Sequence, residues 1–130
     1  IRWRPQTNMD LIANVSRVLN KDNQDNRLHD VANTLYSLAV NYFISDQTSI
    51  HLISQYTGKQ FRFTGDTRTP LSSSQRLNVK INYRLDDYPA SFGLILNNMF
   101  DEKGYYPSAT IAEDYPFSGR QALLEFNYQF

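Results

Sequence analysis

The sequence predicts an all-β chain of about six up-and-down antiparallel strands, oily on one face and polar on the other. Three observations carry that prediction. Six segments alternate apolar and polar side chains with a period of two. The connections between them alternate between short and long. Aromatic residues make up 14% of the chain, nine Tyr and eight Phe against a single Trp, an excess that suits strands.

The first segment sets Leu11, Ala13 and Val15 against Asn14 and Ser16 and ends near Leu19; Ile12 and Val18 weaken its polar face. The second sets Tyr36, Leu38, Val40, Tyr42 and Ile44 against Ser37, Ala39 and Asn41. Helix is the competing reading there, but the stretch lacks a stripe at the three-to-four spacing a helix needs. The third sets Ile50, Leu52 and Tyr56 against His51, Gln55, Thr57 and Lys59. The fourth is the cleanest, with Leu77, Val79, Ile81, Tyr83 and Leu85 against Asn78, Lys80, Asn82 and Arg84. The fifth sets Phe92, Leu94, Leu96 and Phe100 against Ser91, Gly93 and Asn97. The sixth, Gln121–Phe130, sets Ala122, Leu124, Phe126, Tyr128 and Phe130 against Gln121, Glu125, Asn127 and Gln129, with Leu123 the one apolar residue on the polar side.

The connections run long (Asn20–Asp30), short (Ser45–Thr48), long (Thr64–Ser74), short (Asp86–Pro89) and long (Glu102–Ser118). A membrane barrel has this asymmetry, with short periplasmic turns and long extracellular loops. Segments of about ten residues are long enough to cross the hydrocarbon core when tilted. Tyr42, Tyr83, Tyr128 and Phe130 then fall near the short-turn end of the oily face, and Tyr36, Tyr56 and Phe100 toward the long-loop end, as two interfacial bands. Lys80 and Arg84 would be costly against lipid, and their parity with Asn78 and Asn82 puts them on the wet interior side.

The whole chain, 130 residues, is expected to be one unit. Thirteen basic and thirteen acidic residues balance, so no nucleic-acid partner is indicated. There is no Cys for a disulfide or a thiolate metal site. No apolar run reaches the roughly 18 residues of a membrane helix. The chain opens at Ile1 without Met, so either a leader has been removed or these residues are a piece of something longer.

Asn98-Met99-Phe100-Asp101, followed by Tyr105-Tyr106, resembles the N-L-F-D-x-x-Y-Y stretch near the end of TonB-dependent outer-membrane receptors. Met99 stands for the usual Leu, and three residues rather than two precede the tyrosine pair. Gly119-Arg120 and a final alternating strand ending on Phe130 resemble the family's closing P-G-R and terminal strand, with Pro116 displaced three residues upstream. The resemblance spans Ser91–Phe130; strand rhythm alone supports it over Asp10–Tyr83. It implies a barrel of about 22 strands filled by a plug, located in the bacterial outer membrane. Such a barrel takes up a scarce ligand, such as a siderophore-iron complex or cobalamin, with energy from an inner-membrane complex. Residues 1–130 would be its C-terminal strands, with no plug domain in them. The expected partners are the lipid bilayer, that energising complex, and the remaining strands and plug from the same or another chain. An open sheet in lipid leaves unpaired backbone groups at about several kcal/mol each, so it needs those strands.

No catalytic residue, metal ligand set or cofactor is expected, and the chain does not read as an enzyme. His29 sits in a polar loop and reads as solvated. His51, near Ser49 and Ser54, brings to mind outer-membrane lipid-A deacylases, but a polar lumen residue fits it better. Asp86-Asp87 and Asp101-Glu102 pair carboxylates without a histidine at ligand spacing, so they read as solvated charge. Tyr105, Tyr106, Tyr115 and Phe117 are the candidates for stacking on an extracellular ligand; packing within the loop is the competing role. Lys59, Lys80 and Arg84 are candidates for lining the lumen and touching a plug. The alternative to a transporter is a soluble or oligomeric lipocalin-like β-barrel that binds a ligand in an apolar interior.

Overall fold

The computed structural model describes residues 1–18, 31–62, 66–108 and 113–130. Seven strands form one sheet in the order β1-β2-β3-β4-β5-β6-β9. They are β1 (Arg2–Gln6), β2 (Met9–Arg17), β3 (Thr34–Phe43), β4 (Thr48–Thr57), β5 (Ser74–Arg84), β6 (Ala90–Asn97) and β9 (Gln121–Tyr128). Every neighbouring pair is antiparallel. A small ribbon, β7 (Tyr105–Tyr106) with β8 (Tyr115–Pro116), stands in the connection from β6 to β9. The sheet is open, with β1 and β9 at its margins, and no helix occurs among the described residues. This is an up-and-down segment of a β-barrel wall.

The six expected strands are present, and β1 adds a seventh. The further differences are local. The third strand stops at Thr57 rather than running on to Lys59. Gly58 follows, its N–H donating to the Thr34 carbonyl at 2.8 Å, and a Cβ there would lie 2.9 Å from that oxygen. Ile44, Leu85 and Phe130 fall just beyond their strands, and Phe100 three residues beyond its own. The expected strand end at Leu19 and the loop Asn20–Asp30 with His29 lie outside the described residues.

Register makes the two faces explicit. Leu11, Val40, Leu52, Val79, Leu96 and Ala122 form one continuous cross-strand row. Met9, Tyr42, Ile50, Ile81, Leu94 and Leu124 form the next. Both rows are apolar and share a face. On the other face Asp10, Asn41, His51 and Lys80 align, as do Asn14, Ser37, Gln55 and Arg76. A slip of one residue would exchange the faces, so the pattern pins the register.

The apolar face is not covered. Leu38 on the interior strand β3 is 43% exposed and Leu94 on β6 is 38% exposed. No large side chain is fully buried among the described residues. Among the described residues, Ala32, Leu71, Val79 and Ala90 are the buried apolar ones. Ala32 and Leu71 lie in the bridges Ala32–Gln60–Leu71, which carry the ladder of β3, β4 and β5 beyond the strands. A single sheet without a second layer cannot hold a water-soluble core.

Aromatic residues mark both ends of the oily face. Tyr36 and Tyr56 stack at the long-loop end, rings 4.5 Å apart and 8° from parallel. Tyr83, Phe92 and Phe126 form one row at the other end, where the Phe rings lie 5.1 Å apart. The Thr7-Asn8 turn, residues 44–47 and residues 85–89 are the short connections, and all three share the end at which β9 finishes.

Candidate functional site

The polar face carries a hydrogen-bonded belt toward the short-turn end. Asp10 accepts from Arg2 and Arg4 of the neighbouring strand. His51 Nδ1 lies 2.7 Å from Asn41 Oδ1 and its Nε2 lies 3.2 Å from Ser49 Oγ. Asn82 Nδ2 donates to that same hydroxyl at 3.4 Å. Lys80 Nζ donates to Glu125 Oε2 at 2.7 Å, reaching over the intervening strand β6. Gly93 makes room for this bridge: a Cβ there would lie 2.9 Å from Glu125 Oε2.

Ser49, His51 and Asn41 stand in the order hydroxyl, imidazole, amide. An acyl-transfer site also needs donors aimed at a developing oxyanion. β4 is paired on both sides, so its backbone N–H groups are consumed by the ladders. The nearby amide of Asn82 points at the Ser49 hydroxyl itself. The trio is part of the polar belt. No cluster able to hold a metal ion occurs among the described residues.

At the long-loop end the four aromatic candidates divide. Tyr105 pairs with Pro116 and Tyr106 with Tyr115 in the ribbon. Tyr106 and Phe117 pack edge to face, centroids 4.6 Å apart. The Arg76 guanidinium lies 4.7 Å from the Phe117 centroid and 5.7 Å from that of Tyr106, and it donates to the Tyr106 hydroxyl at 2.8 Å. Gly104 sits under Phe117, where a Cβ would clash with the ring. Tyr106 and Phe117 therefore pack together over the polar face, while Tyr105 and Tyr115 remain more than half exposed.

Two of the long connections are joined by charge. Arg62 and Arg68, from the β4–β5 connection, both bond Asp114 of the β6–β9 connection. Arg68 also holds Asp66 at 2.6 Å. The Arg62 and Asp114 side chains are only 8% and 11% exposed. Hydrogen bonds from Arg68 hold the Asp66 carboxyl at about 2. Those from Arg62, and then from the Ser108 N–H, hold Asp114 at about 2 against the cost of its burial. Sequence inspection did not find this clasp, because no local spacing links residues about fifty positions apart.

The stretch Asn98–Asp101 anchors the same connection. Asn98 and Asp101 both have left-handed backbones, φ 49° and 56°. The buried Asn98 amide donates to the carbonyls of Glu102 and Ser118, and its oxygen accepts from Glu102 N–H. Asp101 accepts from Lys103 and from Arg120 N–H, which hold its carboxyl below the usual range. The two sequence segments that carry the family resemblance thus bond each other directly.

Of the other candidates, Lys80 and Arg84 are on the polar face as expected. Arg84 reaches the Asp46 carbonyl in the next turn. Lys59 does not line that face: it lies past the strand end, exposed, its ammonium 5.7 Å from the Phe61 ring. Asp86 accepts from Gln47, so it ties two short turns together rather than standing free.

An open, two-faced strand series with no interior defines a partial barrel wall, and comparison with known proteins points the same way. The chain superposes on a mutant of the ferric enterobactin receptor of Pseudomonas aeruginosa with a TM-score of 0.75 and 18% identity, covering 96% of this chain and 20% of the receptor. A second mutant of that receptor, solved in complex with enterobactin, gives the same score and identity over 97% and 21%. The chain thus spans about a fifth of the receptor it resembles. No protein-family model matches it, and no curated protein does.

Proposed function

We propose that the chain is a barrel-wall segment, C-terminal in position, of a bacterial outer-membrane receptor of the TonB-dependent kind, which takes up a scarce ligand such as a siderophore-iron complex or cobalamin. One observation carries this reading: the exposed apolar face, bounded by aromatic rows, backs onto a hydrogen-bonded polar face. In lipid that face needs no further cover, whereas in water its row upon row of exposed apolar side chains would call for a partner surface. The likeness in fold to a ferric enterobactin receptor supports it, as does the resemblance of Asn98–Asp101 and Gly119-Arg120 to the family's motifs.

The reading entails partners. The Gln129 N–H donates to Pro89 O, so by alternation the backbone groups of Ala122, Leu124, Phe126 and Tyr128 point away from β6. Unpaired in lipid, they would cost about tens of kcal/mol together. Further strands, of the same or another chain, cover them. Ile12, Ala39 and Ile53 form an apolar row on the polar face, a seat for the plug. The energising inner-membrane complex completes the cycle. Tyr105 and Tyr115, each more than half exposed and on opposite faces of the ribbon, are the residues proposed to meet an extracellular ligand.

Full-length protein should fractionate with outer membranes and need detergent for extraction. Producing cells should accumulate a labelled iron chelate or cobalamin, and lose that uptake when the proton gradient is collapsed. Extraction into buffer without detergent would favour the lipocalin-like alternative.

A further inference from the structure

Two polar side chains interrupt the oily face near its long-loop end. Gln75 pairs across strands with Tyr56, which stacks on Tyr36, so it lies in the aromatic band. Ser54 lies one row deeper, between Leu38 and Leu77. The Gln75 Nε2 donates to Ser54 Oγ at 3.1 Å. With Leu77, Phe100 and Glu102 they line a depression of about 340 Å³. Gln75 and Leu77 share the face of Val79 and Ile81, so the depression opens on the oily side of the wall.

Glu102 brings the one charge to this lining. The Asn98 amide binds both its N–H and its carbonyl, which fixes where the side chain starts. Its carboxylate is half-buried and, among the described residues, has no cation in ion-pair range. The adjacent Lys103 is held by Asp101 at 2.7 Å. Beside it the Phe100 ring is 71% exposed. The lining therefore accepts more than it donates: the carboxylate and the Gln75 amide oxygen accept, while Ser54 has one hydroxyl proton to give. A bare phosphate would be repelled by the carboxylate. An ammonium suits both features, since its N–H groups donate to a carboxylate and its charge is attracted to an aromatic face.

We infer that Ser54, Gln75, Phe100 and Glu102 hold the ammonium-bearing headgroup of a membrane lipid on the outer wall, at the depth of the aromatic band. The apolar rows below the depression receive its acyl chains. The inference rests on the proposed reading in one respect: that this face meets lipid.

The test uses full-length protein in detergent, offered equal amounts of phosphatidylethanolamine, phosphatidylcholine and phosphatidylglycerol with the same acyl chains, and native mass spectrometry of the lipid retained. The ethanolamine lipid should be retained most. The choline lipid, a cation without N–H donors, should be retained less, and the glycerol lipid, without a cation, least. Glu102→Gln should lower retention of the ethanolamine lipid about tenfold, the scale of a lost charge-assisted hydrogen bond. Phe100→Leu should lower it about threefold, and Asp87→Asn, in a short turn at the opposite end, should leave it unchanged. Equal retention of the ethanolamine and glycerol lipids, or an undiminished preference in Glu102→Gln, overturns the inference. The orientation is tested separately. This chain contains no Cys, so a fluorophore on Leu52→Cys or on Ile53→Cys can be exposed in bilayers to lipids brominated on their acyl chains. Quenching of the first alone upholds the lipid-facing reading whatever the headgroups do; quenching of the second alone removes that reading and the inference with it.

Discussion

Asn98 shows how much one side chain can hold in a wall without a core. Its left-handed backbone suits Asn or Gly far better than a residue with a plain Cβ. Its amide also serves three backbone groups of the last long connection. Asn98→Ala removes both features and should cost about 2–4 kcal/mol, from backbone strain plus unsatisfied buried groups. Asn98→Gly relieves the strain and should cost distinctly less. Urea unfolding of the full barrel in detergent, followed by gel mobility, ranks the two; equal losses would show that conformation plays no part. Gly93 is a second such point. In Gly93→Ala the new methyl meets the Glu125 carboxylate, the far end of a flexible side chain that can swing away. The Lys80 bridge opens, but both partners are more than a third exposed, so the loss should stay within about 1 kcal/mol. Gly93→Leu would press on the Glu125 stem as well and should cost clearly more in the same assay.

The clasp between the β4–β5 and β6–β9 connections belongs to the scale of elements, and its pH dependence has a definite sign. Asp66 and Asp114 titrate near 2 in the fold, below the ordinary carboxylate value of about 3.9. Such groups add stability above the unfolded value and lose it as pH falls through the folded one. The loops should therefore keep their spacing from neutrality down to about pH 4 and separate toward pH 2. Spin labels at Thr69 and Glu113, read by pulsed distance measurement across that range, would show it. Asp114→Asn should widen the distribution already at neutral pH; an unchanged distribution would mean that the ion pairs follow the loops rather than hold them. Legibility also divides at this scale. The six long strands were readable because the chain alternates over eight or more residues. β1 was missed because Arg2–Gln6 is short and contains Pro5. The overextension to Lys59 followed the alternation and overlooked Gly58, whose close approach to Thr34 ends the strand. The aromatic candidates were visible by composition, but Arg76 and the clasp residues were not. Their partners come from other strands and loops, and only the register brings them together.

At the scale of the whole molecule the deciding question is what the apolar face touches. Leu52 and Ile53 are adjacent on the central strand β4, at equal depth and on opposite faces. Thr48 shares the face of Leu52 but starts the strand at the short-turn end. In lipid, an arginine costs about 2–4 kcal/mol at the midplane and about 0–1 kcal/mol near an interface. Leu52→Arg should therefore lose about 2–4 kcal/mol in bilayer-refolded protein, and Thr48→Arg about 0–1 kcal/mol. An apolar cavity closed against water makes a different demand, because burial there has no membrane depth and the two losses would not be graded in this way. Ile53→Arg adds the control for the second face. It enters a row flanked by Ala39 and Asn78, where a long side chain can reach water once the plug proposed to sit there is deleted, so in the plug-deleted barrel its loss should be small. A graded loss on one face with tolerance on the other is what a two-sided wall requires. Equal losses at Leu52 and Thr48 would contradict the lipid-facing assignment, and with it the proposed place of this chain in an outer membrane.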